Sequence, residues 1–162
     1  MESLQRTGRE ITEIYNRHVD TVYRVCYSFI KNKTEAEDMV QETFLRLISC
    51  GKTFEDQRHE KAWLIVTASN LCKDTLKKWW RRTESIDDYS EILAAPEGRD
   101  TGLTEVILQL PPKYKDVVYL YYYEDYSTEE IAGFLGCPPA TVRSHLMRAR
   151  RKLSALLGGE RE

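Results

Sequence analysis

A stretch near the end of the chain is rich in arginine and free of acidic residues, and it contains the side chains best suited to chemistry. Residues 138–157 carry five Lys or Arg residues, and no Asp or Glu occurs from Pro138 to Gly159. Arginine is the natural partner of guanine, because its guanidinium group pairs with both O6 and N7. The composition of this stretch makes it a candidate contact for nucleic acid.

Two short helices with a tight turn between them are predicted to position these arginines. Ser127 is a typical N-cap, and Glu130 completes a capping box with it. Gly136 follows the last apolar residue of the first helix, where a left-handed residue is common. Pro138 and Pro139 prevent that helix from continuing and favour the start of a second. The helical spacing predicts one apolar face on each, formed by Ile131, Ala132 and Leu135 and by Val142, Leu146, Ala149 and Leu153.

A capped helix, a turn with glycine and a basic amphipathic helix are the parts of a helix-turn-helix. In that motif the second helix enters the major groove of DNA and presents side chains from its N-terminal half to the bases. The alternative is a solvated basic helix at the end of an ordinary helical bundle. The spacing alone leaves both interpretations open.

Length and composition limit the class of protein. The 162 residues suffice for one ordinary domain or two small ones, and no apolar run approaches the roughly 18 residues of a membrane span. The N-terminal residues lack the apolar core and cleavage site of a signal peptide, so a cytoplasmic protein is expected. The four cysteines lie far apart without histidines at ligand spacing. Neither a metal site nor a disulfide framework is therefore expected, and no cofactor is predicted.

The net charge of −2 would argue against nucleic-acid binding, but the distribution of charge does not. Residues 61–82 contain six Lys or Arg and one acidic residue, whereas residues 83–105 contain seven acidic residues and one Arg. Two basic segments thus flank an acidic one. The local potential matters more to a polyanion than the sum over the chain.

Two helices are predicted before residue 51. Apolar residues recur at spacings of three and four over residues 4–31 and predict one long helix. Thr34 and Glu37 form a second capping box, which predicts that the next helix starts there and runs to about Cys50. Its buried stripe is expected to comprise Ala36, Val40, Phe44 and Leu47.

Asp38 and Glu42 place two carboxylates four residues apart on one face of this second helix. Such a pair is usually a solvated face, and it is otherwise a binding surface for a basic partner. A polar loop, residues 51–60, then leads into a long helix over residues 61–82. Its apolar side is predicted to comprise Trp63, Leu64, Val66, Ala68, Leu71, Thr75 and Leu76, and its polar side Asn70, Lys73, Lys77 and Lys78.

The fold class predicted for the chain is all-α, with two small helical domains joined by a flexible acidic linker. Residues 4–82 form the first domain and residues 102–158 the second. Residues 83–101 lose helical periodicity and contain Pro96 and Gly98, so they form the linker. In the second domain, a short helix up to Leu110 and a helix opened by Pro112 precede the helix-turn-helix.

Three segments in fixed order resemble the extracytoplasmic-function (ECF) sigma factors, the smallest members of the bacterial sigma-70 family. They are E-A-E-D-M-V-Q-E-T-F-L-R-L, K-A-W-L-I-V-T-A-S-N-L-C-K-D and the stretch from L-P-P-K-Y-K-D to M-R-A-R-R-K-L. The resemblance implies a bacterial transcription initiation factor rather than an enzyme, with sigma region 2 in the first domain and region 4 in the second.

The resemblance also implies the partners and the site residues. The surface that docks on the beta-prime subunit of core RNA polymerase maps to Asp38, Gln41 and Glu42. The beta subunit, promoter DNA and, in many relatives, an anti-sigma factor are the other partners. Capture of the melted minus-ten strand is implied for Phe54, Arg58, Asn70, Lys73, Lys77 and Lys78. Recognition of the minus-thirty-five element is implied for Thr141, Arg143, Ser144, His145, Met147 and Arg148, although many relatives carry Arg or Lys in place of His145.

Two other hypotheses compete with a sigma factor. A helix-turn-helix regulator that acts without polymerase would share the C-terminal motif, but it has no need of the D-M-V-Q-E-T-F segment and a basic-aromatic helix. An all-helical enzyme would use Glu35, Asp38, Glu42 and His59 as acid–base or metal groups. No E-x-x-H pair or other ligand spacing supports that enzyme.

Overall fold

The structure, a computed structural model, describes residues 7–82 and 109–156. The chain divides into two compact units, Met1–Leu93 and Ala94–Glu162. No residue in the two described ranges lies in a strand, so the predicted all-α class is confirmed there. The break between the units falls inside the predicted linker, residues 83–101. That linker and the predicted short helix as far as residue 108 lie outside the described residues.

Three helices make up the described part of the first unit: α1 (Gly8–Ile30), α2 (Lys33–Cys50) and α3 (Gln57–Arg82). Thr7 begins α1 with a capping box, because its Oγ1 accepts a hydrogen bond from the Glu10 N–H and its own N–H donates to Glu10 Oε1. Lys31 ends α1 in the left-handed region at φ 62°. Only Lys31 and Asn32 therefore separate α1 from α2.

The start of α2 differs from the prediction. Asn32 is the N-cap, with Oδ1 accepting from the Glu35 N–H at 2.9 Å, so the predicted capping box of Thr34 and Glu37 was wrong. Asparagine caps at least as well as threonine, and here it is the first extended residue after the turn. The third helix likewise begins before the predicted Lys61, because Asp56 Oδ1 accepts from the His59 N–H at 2.8 Å.

The core of the first unit lies where the three helices meet. The predicted stripe of α2, Ala36 to Leu47, is buried and confirmed. The stripe predicted for α3 was partly wrong, because Trp63, Val66, Leu71, Thr75 and Leu76 are only half-buried. The predicted Leu64 and Ala68 are buried. Because the helix packs against both α1 and α2, the double contact also buries Ala62, Ile65 and Cys72, which lie outside the predicted stripe.

The second unit contains α4 (Pro112–Val118), a π-helical turn (Tyr119–Tyr123), α5 (Thr128–Leu135) and α6 (Pro139–Leu156). Pro112 opens α4, as the sequence predicted. Ser127 and Glu130 form the predicted capping box, with hydrogen bonds of 3.0 and 2.9 Å. Gly136 ends α5 at φ 72°, a conformation that glycine adopts without steric cost. The helix-turn-helix geometry is therefore specified locally.

The apolar stripe of α6 fixes which side of that helix remains in solvent. Val142, Leu146, Ala149 and Leu153 are buried, as predicted, together with Ile131 of α5 and Val117, Val118 and Leu120. All the arginines of α6 consequently lie outside the core. Among the described helices, none combines the length and apolar character needed to cross a membrane.

Candidate nucleic-acid interface

The solvent-facing side of α6 carries every residue that the sequence assigned to the minus-thirty-five element. Arg143, Met147 and Arg148 are exposed, and Thr141, Ser144 and His145 are half-buried. Arg143 and Met147 are separated by four residues, as are Ser144 and Arg148, so each pair lies along one line of the helix. The structure thus brings these six residues to one surface, with Thr141 and His145 at its margin.

Two of these side chains have partners within the second unit. Arg143 Nη1 lies 4.0 Å from Glu129 Oε2 of α5, an exposed ion pair that offsets part of the arginine's charge. The His145 ring packs edge-on against Tyr114 of α4, with 5.5 Å between the ring centres. Arg148 forms no ion pair within the described part of the chain and is the base-reading candidate with the least compensated charge.

The first unit exposes a mixed acidic and apolar surface on α2. Asp38 and Gln41 are exposed, and the half-buried Glu42 pairs with Arg46 at 3.5 Å. Leu45 and Ile48 continue the same side of the helix and are exposed to 57% and 49%. Neither residue was among the site residues predicted from the sequence. Both are large apolar residues of α2 that do not belong to its predicted buried stripe, and this pattern would have identified them from the sequence.

We call Asp38, Gln41, Glu42, Leu45 and Ile48 the docking face. Its members recur at spacings of three and four, so they form one strip along α2. A large exposed aliphatic side chain is unremarkable alone, but two beside clustered acids are typical of a contact surface. A partner that fits this face presents both basic and apolar side chains.

A cleft of about 320 Å³ lies between α2 and α3. It is lined by Arg46, Ser49, Cys50, Trp63, Thr67, Asn70, Leu71 and Asp74. A flipped base needs an apolar or aromatic surface to stack on and polar groups for its edge. Trp63 and Leu71 supply the first, and Arg46, Asn70 and Asp74 supply both donors and acceptors. Of the predicted minus-ten residues, only Asn70 lines this cleft directly.

Phe54 links the loop that precedes α3 to this cleft. The side chain is half-buried. Its ring centre lies 5.8 Å from the ring centre of Trp63, which lines the cleft, and 6.3 Å from the ring centre of His59. Arg58 lies in the first turn of α3, roughly 18 Å from Asn70 at about 1.5 Å of rise per residue. Phe54 therefore contacts both the cleft wall, through Trp63, and the first turn of α3, through His59, whereas Arg58 lies apart from Asn70.

The C-terminal half of α3 presents the predicted basic side. Lys77 and Lys78 are exposed, and Lys73 is half-buried. Trp80 is 62% exposed, whereas Trp79 is half-buried. An exposed tryptophan beside lysines offers a stacking surface together with cations for a nucleic-acid backbone.

No group of three or more His, Cys, Asp or Glu residues that could hold a metal ion occurs within residues 7–82 and 109–156. The carboxylates of α2 and His59 thus form no such cluster.

Comparison with known families agrees with the two-unit organisation. The model of sigma-70 region 2 matches residues 14–82, and that of sigma-70 region 4 matches residues 101–153. The ECF RNA polymerase sigma factor SigW of Bacillus subtilis is 33% identical over 89% of this chain and 85% of its own length. SigM of the same species is 30% identical over 90% of this chain and 94% of its own length. SigV of that species is 29% identical over 99% of this chain and 98% of its own length.

Solved structures show the same fold. The sigma factor RpoE of Bartonella quintana, in complex with the anti-sigma factor NepR, superposes with a TM-score of 0.72 at 21% identity, covering 94% of this chain and 99% of RpoE. CnrH, in complex with the cytosolic domain of CnrY, gives 0.68 at 23% identity, covering 98% and 94%.

A region 2 and a region 4 in one short chain define the class as RNA polymerase sigma factors of the sigma-70 type. Given the similarity to SigW along most of both chains, this chain belongs to the ECF group of that family. The resemblance drawn from three sequence segments is thereby confirmed. A helix-turn-helix regulator that acts without polymerase is not favoured.

Proposed function

We propose that this ECF sigma factor docks on core RNA polymerase through α2 and contacts promoter DNA through α3 and α6. The observation that carries the proposal is the presence of regions 2 and 4, in this order, in one chain. A regulator independent of polymerase would need the helix-turn-helix of the second unit alone.

The docking face is the proposed contact with the beta-prime subunit. Asp38 and Glu42 would attract a basic helix, and the charge pairs would set the register of the complex. Leu45 and Ile48 would supply apolar contact. Because each is only about half exposed, complete burial would contribute about half of the roughly 1.5–3 kcal/mol of a fully exposed side chain. The combination supports binding to a protein rather than a purely solvated face.

The cleft beside Asn70 is the proposed site for a base of the melted minus-ten strand. Trp63 offers a stacking surface, and the Asn70 amide can both donate to and accept from the edge of a base. Lys73, Lys77 and Lys78 would contact the backbone of the same strand, while Phe54 supports the cleft wall. Arg58, in the first turn of α3, would contact the backbone at a distance from this base.

The exposed side of α6 is the proposed contact with the minus-thirty-five element. Arg148 is the proposed guanine reader, because bidentate pairing of arginine with O6 and N7 distinguishes guanine from the other bases. Arg143, Ser144 and Met147 would contact neighbouring bases. Thr141 is placed near the helix N-terminus for a phosphate, and His145 contributes at the margin.

A protein with this role is a non-catalytic initiation factor that works in the cytoplasm, where the chromosome lies. An anti-sigma factor is a further proposed partner. The relative RpoE was solved with one bound, and a protein that covers the docking face or α6 would block the contacts proposed above.

Reconstituted transcription tests the proposal. Core RNA polymerase from a bacterium that expresses this chain is combined with the full-length protein and a library of genomic DNA fragments, and the start sites of the transcripts are sequenced. The expected result is initiation only with the added protein, downstream of one shared pair of minus-thirty-five and minus-ten elements. Transcripts independent of the protein, or protein that binds DNA but fails to associate with core polymerase, would contradict the proposal.

A further inference from the structure

Two tyrosines form a corner that holds the guanidinium of Arg150 on α6. Tyr121 and Tyr122 lie in the π-helical turn, with ring centres 4.9 Å apart and planes at 85°. Arg150 Nε donates a hydrogen bond of 2.6 Å to Tyr122 Oη. Arg150 Cζ lies 5.8 and 5.9 Å from the ring centres of Tyr122 and Tyr121, within the range of cation–π attraction.

The partner of this arginine is a hydroxyl group rather than a carboxylate. Arg143, by contrast, lies near the Glu129 carboxylate, which offsets its charge. A tyrosine hydroxyl accepts the Nε–H bond without cancelling the charge of the guanidinium. The four N–H groups on the two Nη atoms of Arg150 remain available for bidentate binding of an anion.

The position of Arg150 indicates what the anion is. The residue is exposed, and it lies three residues after Met147 and seven after Arg143, so all three share one side of α6. In a helix-turn-helix, the N-terminal half of the second helix contacts bases. An arginine in the C-terminal half on the same side therefore faces the DNA backbone, which offers phosphates.

We propose that Arg150 binds a backbone phosphate beside the minus-thirty-five element and that Tyr122 is its positioning residue. This inference rests on the proposed function of α6. The π-helical turn assists, because it places more residues in each turn and lets consecutive Tyr121 and Tyr122 face the same guanidinium. A free arginine loses rotamer freedom when it binds, whereas Arg150 is already oriented before the DNA arrives. Loss of that orientation weakens binding by about two- to tenfold.

The test measures binding of the full chain to a fluorescein-labelled duplex of random sequence over a series of salt concentrations. Each phosphate contact contributes about 0.9 to the slope of log Kd against log salt. Arg150→Ala is expected to reduce the slope by about 0.9. Tyr122→Phe removes the hydroxyl but no charge, so it is expected to weaken binding by about two- to tenfold through the lost orientation, with an unchanged slope.

Tyr122→Glu separates positioning from a structural role. Glutamate can still accept from Arg150, but it neutralises the guanidinium, so the slope is expected to fall as in Arg150→Ala. The matched control is Tyr123→Glu, which adds the same charge at an exposed tyrosine that stacks on Tyr119 instead. A purely structural tyrosine–arginine contact would give equal slopes for the two glutamate variants, and this result would overturn the inference.

Arg148→Ala distinguishes failure of this inference from failure of the proposed function. Arg148→Ala is measured on a duplex that contains the minus-thirty-five element found by transcription, because a base-reading arginine loses affinity only there. If Arg148→Ala weakens binding to that duplex while all Arg150 and Tyr122 variants bind like the wild type, the inference is wrong and α6 still contacts DNA. If none of these variants changes affinity or slope, α6 is not a DNA surface, and both proposals fall. Circular dichroism melts of every variant identify any that fail to fold, and Arg150→Gln, which removes the charge but keeps a long polar side chain, replaces Arg150→Ala in that case, with the same expected fall in slope.

Discussion

His18 Nε2 on α1 lies 2.8 Å from Glu60 Oε1 in the first turn of α3. Arg17 Nη1 donates to the same oxygen at 2.7 Å. Because a carboxylate only accepts, His18 donates from Nε2, and its buried Nδ1 is left without a hydrogen-bond partner. Glu60 thus connects the start of α3, and with it the end of the loop after α2, to the middle of α1.

We predict that Glu60→Ala destabilises the first unit by about 1–3 kcal/mol, because it leaves both nitrogens of a buried histidine unsatisfied. All three tryptophans, Trp63, Trp79 and Trp80, lie in α3, so urea unfolding followed by tryptophan fluorescence reports on this unit alone. Asp20→Ala, which removes an exposed acid from α1, is the control and should change stability by less than about 0.5 kcal/mol. Equal midpoints for the two variants would show that the Glu60 contacts contribute nothing.

The stability of the first unit is also predicted to fall in mild acid. Burial lowers the pKa of His18 below 6.5, and this effect outweighs the opposing attraction of Glu60, while Arg17 and Lys61 lower the pKa further. Below pH 6.5 the unfolded chain therefore binds a proton that the folded chain resists, so the stabilising contribution is complete above pH 6.5 and is lost as the pH falls towards the folded pKa.

Urea midpoints measured by tryptophan fluorescence from about pH 8 to pH 5 test this direction. His18→Gln, which keeps a polar side chain but does not titrate, should flatten the profile in that range. His59→Gln is the matched control and should leave the wild-type profile intact. A His18→Gln profile that is as steep as the wild type would assign the acid sensitivity to other groups.

The sequence predicted the elements of the second unit well, because its signals are local. Each signal acts on the backbone next to it: the capping serine and glutamate, the left-handed glycine and the paired prolines. Ser127, Gly136 and Pro139 have the predicted roles. The first unit was predicted less well. There, Asn32 and Thr34 are both competent caps, and the buried side of α3 depends on two neighbouring helices that no single-helix pattern contains.

The parts of the candidate site that lie along a single helix could be predicted from the sequence. The exposed side of α6 and the acids of α2 follow from periodicity. The cleft does not, because it joins Arg46 of α2 to Asn70 and Asp74 of α3, which are distant in the sequence. The contact of Arg150 with Tyr122 was missed for the same reason, since it spans two elements.

The two glycines of the helix-turn-helix are predicted to respond oppositely to alanine. An added Cβ has no atom within 4 Å at either position, so backbone conformation alone decides the result. Gly136→Ala should lower the stability of α5 and α6 by about 1–2 kcal/mol, because φ is positive there. Gly133→Ala, inside α5, should raise it by about 1 kcal/mol through helix propensity. Native-state hydrogen exchange of the α5 and α6 amides measures both, and a change of the same sign in both would contradict the conformational argument.

Reversal of charge on the docking face is predicted to weaken binding to core RNA polymerase. Asp38→Lys together with Glu42→Lys replaces attraction for a basic partner by repulsion, which lowers the association rate and makes it less sensitive to salt. Affinity is measured by fluorescence anisotropy of the labelled protein with core polymerase. Asp20→Lys, on the solvent side of α1, is the control for charge. Unchanged affinity of the double variant would show that the docking face is only a solvated surface.

Replacement of Arg148 is predicted to change specificity as well as affinity. Arg148→Ala should cost about 1–3 kcal/mol on a duplex with the minus-thirty-five element found by transcription, because a bidentate contact to guanine is lost. The loss should vanish on duplexes that carry another base at that one position, so the preference there becomes weaker while the preferences at other positions remain. Arg151→Ala, which removes an exposed arginine further along α6, is the control and should weaken binding to all these duplexes equally. An equal loss on every sequence for Arg148→Ala would instead make Arg148 a phosphate contact, and the base-reading role on α6 would then fall to Arg143.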